Sequence, residues 1–76
     1  MIDEETFVDE VEAMERALYR VSRSLLKSPE DCADAVQEAL ARAWARRGRV
    51  EAAYFRPWLM RIAINTCRDI HRTAWM

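Results

Sequence analysis

FRPWLMRIAINTCRDIHR, the run from Phe55 to Arg72, decides how the chain folds, because a helix start, a packing face and a basic face are all legible in it. Pro57 suits the first turn of a helix, where a missing N–H leaves no bond unmade, and no other Pro or Gly follows through Met76. The run therefore predicts a helix over about 57–73. At helical spacing Trp58, Ile62, Asn65/Thr66 and Asp69/Ile70 form a stripe that packs, while Arg61, Asn65, Arg68 and Arg72 follow one another at steps of four, three and four on a neighbouring stripe. Guanidiniums on one helix face, with an amide among them and aromatics just upstream, are suited to track phosphates while Asn65 reaches a base edge. A plainer reading stands beside this one. Surface helices often carry Arg only for solubility, and a Trp such as Trp58 is more often core than a stacking platform.

Working outward, 76 residues permit one domain, whose single core supplies only about 3–5 kcal/mol. With 51% hydrophobic residues, one Gly and two Pro, the chain is too apolar for disorder and too poor in turn residues for many short strands. The expected class is all-α, a compact bundle of three main helices plus a short connecting helical turn. The net charge of −1 conceals a strong asymmetry. Residues 1–40 hold eleven carboxylates against four cations, a net −7, whereas residues 41–76 hold eight Arg against two acids, a net +6. Such a division points to two partners of opposite sign, or to one partner met by the basic half alone, and the acidic half discourages non-specific DNA binding.

Near the N-terminus Phe7, Val11, Met14, Leu18, Val21 and Leu25 alternate steps of four and three, predicting a long amphipathic helix over about 4–27. Acids crowd its first turns and Arg16, Arg20, Arg23 and Lys27 its second half, as the helix dipole favours. A coiled-coil seam competes, but two further helices are available to cover this one. Ser28-Pro29-Glu30-Asp31 then marks a second start: a hydroxyl cap, Pro at the first position, acids in the first turn. This helix is expected over about 29–47 and to end at Gly48, whose access to positive φ suits a C-cap. Ala33, Val36, Leu40 and Trp44, with Ala43, are expected to face inward; Asp34, Gln37, Glu38 and Ala41 reach solvent. From spacing alone, that acidic-amide patch is an ordinary solvated face.

The segment 48–56 is expected to be a loop with one short helical turn around 51–54. Tyr54 and Phe55 beside Arg49 and Arg56 supply rings for base stacking and guanidiniums for phosphates, the ingredients of a single-strand pocket. The competing fate for both rings is to plug the core, which suits Phe55 better than Tyr54. Cys32 and Cys67 lie 35 positions apart without a CxxC, which argues against zinc; Cys67 and His71 share a helix face but lack a second half-site. No cofactor is expected. No leader and no long apolar run is seen, so a soluble cytoplasmic protein with free thiols and no membrane association is expected. His71 stands alone, no Gly-rich phosphate loop exists, and no paired acids suggest acid–base work, so the chain reads as a non-enzyme.

Ser28-Pro29-Glu30-Asp31, Asp34-Ala35-Val36-Gln37-Glu38-Ala39-Leu40, Arg42-Ala43-Trp44 and Phe55-Arg56-Pro57-Trp58-Leu59-Met60-Arg61-Ile62-Ala63-Ile64-Asn65 together resemble region 2 of bacterial RNA polymerase sigma factors of the extracytoplasmic-function (ECF) group. The resemblance covers 17–72 and implies a transcription-initiation role. Asp34, Gln37 and Glu38 match the family's segment that docks on the clamp helices of the polymerase β′ subunit. The stretch 49–56, including Arg49, Tyr54 and Arg56, matches the loop that receives a base flipped from the non-template strand of the −10 promoter element. Trp58, Arg61, Asn65 and Arg68 fall on the helix that helps unstack and read that strand, with Arg72 continuing its basic stripe. An anti-sigma factor is a further partner type that the resemblance allows. Two departures stand out. Val50-Glu51-Ala52-Ala53 replaces the Phe, Gly and Ser frequent in the loop, leaving the captured base open, and Met60 stands where an aromatic is frequent. The family's second, promoter-reading helix-turn-helix has no counterpart here, so the chain 1–76 is expected to be one domain of a longer protein. A duplex-DNA-binding helical domain and a helical protein-interaction adaptor remain the alternatives.

Overall fold

The computed structural model describes residues 2–74. Three helices, α1 (Glu4–Leu25), α2 (Pro29–Ala45) and α3 (Phe55–Ala74), enclose a main core and a smaller second cluster, with two 3-10 turns, Arg47–Arg49 and Ala52–Tyr54, between α2 and α3. Each helix packs on both others.

The helix starts follow from capping chemistry. Asp3 accepts the Thr6 backbone N–H at 2.7 Å, satisfying one of the first-turn donors of α1. That hydrogen bond lowers the Asp3 pKa, so its contribution is present above the ordinary carboxylate range and is lost as pH falls through the depressed value. Ser28 caps α2 by accepting the Asp31 N–H at 3.3 Å, with Pro29 at the first helical position. α3 begins at Phe55, two residues earlier than expected; Pro57 still falls in the first turn, where it costs no bond.

The buried stripe of α1 is Phe7, Met14, Leu18 and Ser22, with Val11 and Val21 half-buried. The expected seam drifted from it because alternating steps of three and four follow a 3.5-residue period, whereas a straight helix turns every 3.6 and moves the stripe by about 20° per heptad. By the last turns Ser22 has replaced Val21 at the centre, and Leu25 is 41% exposed while Leu26, extended beyond the helix end, is 4% exposed. Ser22 is tolerated there because its hydroxyl donates to the Leu18 carbonyl at 2.8 Å.

On α2 the inward face is Cys32, Ala35, Val36, Ala39 and Ala43. This corrects the expected set: Ala33 and Leu40 are half-buried and Trp44 is exposed at its rim. Small side chains lie at the centre because they let neighbouring helix backbones approach closely, and the larger Leu40 and Trp44 cover the edges. Cys32 and Cys67 are free thiols buried with Leu26 and Ala35 in a small second cluster, behaving as compact hydrophobes.

The expected glycine C-cap is also corrected. α2 stops at Ala45, and Gly48 lies inside the first 3-10 turn; no described residue has positive φ. Arg47 fulfils the capping role instead, donating Nη1 to the Trp44 carbonyl at 2.7 Å while its guanidinium stacks 3.6 Å from the centre of the Trp44 ring. Val50, buried between the two 3-10 turns, and Phe55, wholly buried at the start of α3, pin the connection at both ends. Between these pins residues 51–54 are all exposed.

Ser28→Ala removes the α2 cap and is expected to cost about 1 kcal/mol, lowering the melting temperature by roughly 4–8 °C in a thermal circular-dichroism scan; an unchanged transition would contradict the capping role.

Candidate polymerase and nucleic-acid interface

Two exposed surfaces carry the polar residues singled out in the sequence. The first lies on α2, where burying Ala35, Val36 and Ala39 forces Asp34, Gln37 and Glu38 outward. The second lies on α3. With Leu59, Ile62, Ala63, Thr66 and Cys67 turned into the protein, Arg61, Asn65, Arg68 and Arg72 are exposed. Arg61, Asn65 and Arg68 border a shallow groove whose floor and walls include Pro57, Met60 and Ile64. An apolar strip flanked by guanidiniums and an amide can accept a base face and phosphate oxygens together.

The connection ahead of α3 adds Tyr54, 64% exposed in the second 3-10 turn, and Arg49, exposed in the first. Phe55 takes the buried fate, with its ring 5.5 Å from that of Phe7 and 5.8 Å from that of Trp58. Trp58 is half-buried against this pair, so only part of it is available to a base.

Not every expected cation stands free. Arg56 donates Nε to Glu10 Oε2 at 2.6 Å, and Arg72 lies 3.9 Å from Asp69. The pair with Glu10 raises the Arg56 pKa, chiefly through the hydrogen bond. Glu10 escaped the sequence reading because 46 residues separate it from Arg56, and their helices meet here through tertiary packing that includes Phe7 on Phe55.

Arg42 also escaped it. Its Nε donates to Glu38 at 3.2 Å, and its Nη1 donates to Asp69 Oδ2 at 2.9 Å and to Thr66 Oγ1 at 3.3 Å. Thr66 is buried and its own hydroxyl donates a hydrogen bond to the Ile62 carbonyl at 2.7 Å. Arg42 thereby joins the α2 patch to α3 at a depression bordered by Asp31, Asp69, Ile70 and Thr73. The Glu38–Arg42 spacing of four was a legible signal; the Asp69 contact was not. Hydrogen bonding to Asp69 raises the Arg42 pKa, so this contribution is complete at neutral pH and is lost only as strong alkali passes the raised value.

Among the described residues, no group of His, Cys, Asp and Glu is arranged to hold a metal ion, and no helix is long and apolar enough to cross a membrane.

Residues 11–76 match the family model described as Sigma-70 region 2. The chain is similar to the RNA polymerase sigma factor NccH of Alcaligenes xylosoxydans xylosoxydans, with 35% identity over 71 residues that cover 92% of this chain and 38% of that relative. The chain thus spans well under half the length of the relative it matches. No solved structure matches it.

Arg42→Ala is expected to destabilise the fold by about 1 kcal/mol, since a partly exposed ionic network contributes little more. The deficit should shrink at about 1 M salt, where the Debye length falls to roughly 3 Å. Denaturant melts of both chains at two salt concentrations read this out; equal stability under both conditions would contradict the assignment.

Proposed function

Since the chain belongs to the sigma-70 region 2 family, we propose that it is the part of an RNA polymerase sigma factor that docks on the β′ clamp helices and holds melted −10 promoter DNA. It acts with the polymerase in the cytoplasm as a specificity subunit and breaks no covalent bond. The observation that carries this reading is the separation of two exposed polar faces on adjacent helices: acids and an amide at Asp34, Gln37 and Glu38, and cations with an amide at Arg61, Asn65 and Arg68.

Each face suits one partner. A clamp coiled coil that offers Arg side chains meets acceptors at Asp34 and Glu38, and the amide of Gln37 pairs with either a donor or an acceptor. The α3 groove suits single-stranded DNA: Arg61 and Arg68 neutralise phosphates, Asn65 has the geometry to read a base edge, and Tyr54 and part of Trp58 offer rings to unstacked bases. Arg49 extends the cationic rim and Arg72 continues it along the helix. Unstacking a duplex costs a few kcal/mol per base taken out of the stack, so the receiving surface works best if it is already formed. The pins at Val50 and Phe55 provide that preorganisation by ordering residues 51–54 before DNA arrives. The small Ala52 and Ala53 leave room beside Tyr54.

Asp34→Ala and Gln37→Ala are each expected to weaken binding to an isolated β′ clamp fragment by roughly tenfold, equivalent to about 1.4 kcal/mol. Arg61→Ala and Asn65→Ala should leave that affinity intact but reduce permanganate-reactive thymines in a holoenzyme whose sigma factor carries this domain. Unchanged clamp affinity removes the docking assignment, and wild-type thymine reactivity removes the strand assignment.

A further inference from the structure

Arg56 sits where the strand pocket calls for a free cation, immediately after Tyr54 and Phe55, yet a carboxylate from another helix occupies it. The Glu10 contact is fixed by what lies beneath it. Phe7, one turn before Glu10 on α1, meets Phe55 edge to face at an interplanar angle of 78°, and Phe55 is the residue that precedes Arg56. Packing of those two rings therefore delivers Glu10 to Arg56 whenever the core is formed. The pair is open to solvent, with Arg56 62% and Glu10 30% exposed at the side chain. An ion pair this exposed adds little to stability. Its larger effect falls on an incoming anion, because a phosphate approaching Arg56 meets a guanidinium whose charge is offset and a carboxylate that repels it.

We propose that Glu10 is a positioning residue that sets the affinity of the Tyr54 loop for unpaired DNA, by competing with the strand's phosphate for Arg56. The inference rests on the strand-binding reading above. Phosphate capture by Arg56 then proceeds with release of Glu10, so casual single strands bind weakly while a strand held by further contacts along α3 displaces the carboxylate. One acid from the negative N-terminal half thus acts directly on the cationic half of the molecule.

The test uses Glu10→Gln, which keeps a carbonyl oxygen for Arg56 Nε and removes only the charge. Binding of a fluorescein-labelled single-stranded oligonucleotide to the chain is followed by anisotropy between roughly 50 and 200 mM salt, with thermal melts to verify folding. Glu10→Gln should bind severalfold more tightly at low salt, and the slope of log K against log salt should steepen by about 0.7, the value for one added contact to single-stranded nucleic acid. In an Arg56→Gln background the same substitution should bring neither the steeper slope nor the severalfold gain. Tighter binding that persists without Arg56, or an unchanged slope and affinity, overturns the inference while leaving strand binding in place. Absence of oligonucleotide binding by both the wild-type chain and Glu10→Gln overturns the inference together with the strand-binding reading.

Discussion

The wholly buried ring of Phe55 is the constraint on which the rest of the molecule depends. It occupies the first position of α3, so its burial determines where that helix enters the bundle and which way it is rotated. Phe7 supplies an edge-to-face partner from α1, at a ring separation within the favourable range, and Trp44 of α2 also meets Phe7 edge to face at 5.1 Å. Three helices are thus registered against one another through aromatic contacts at one end of the chain's core. With Phe55 inward, Leu59, Ile62 and Ala63 follow it inward, and Arg61, Asn65 and Arg68 have only solvent to face. Tyr54, one residue earlier, is left outside.

The opposite fates of Tyr54 and Phe55 could be read from the sequence, and so could the three helices, because amphipathic spacing, a Ser-Pro start and a first-turn Pro are local signals. What was misread depended on neighbours. Leu40 and Trp44 were expected inside because they share a helical stripe with Ala33 and Val36, but close helix approach favours Ala35 and Ala39 at the centre and leaves large side chains to seal the rim. Gly48 was expected to end α2 because it alone tolerates positive φ cheaply, yet a guanidinium from Arg47 satisfied the Trp44 carbonyl first. Arg42 and Glu10 were missed for one shared reason: their decisive partners lie 27 and 46 residues away, and no pattern within a helix reveals a contact across the bundle.

Charge separation along the chain takes on a three-dimensional meaning through those two residues. Arg42 ties Glu38 of α2 to Asp69 of α3, and Glu10 of α1 reaches Arg56 at the start of α3. The acidic and basic halves are therefore not merely segregated but joined at two points, each where a face with a candidate partner meets its neighbour. At both points a carboxylate holds a cation that the sequence alone would have left unassigned or free.

The central claim is that α2 and the start of α3 present different partners with different faces. Site-specific photocrosslinking in a polymerase–promoter open complex tests this most directly, with the crosslinker placed at Gln37 or at Tyr54 of the sigma factor. Crosslinks from Gln37 to the β′ subunit and from Tyr54 to the non-template strand are the predicted result. Crosslinks from Tyr54 to protein alone, or from Gln37 to DNA, would contradict it.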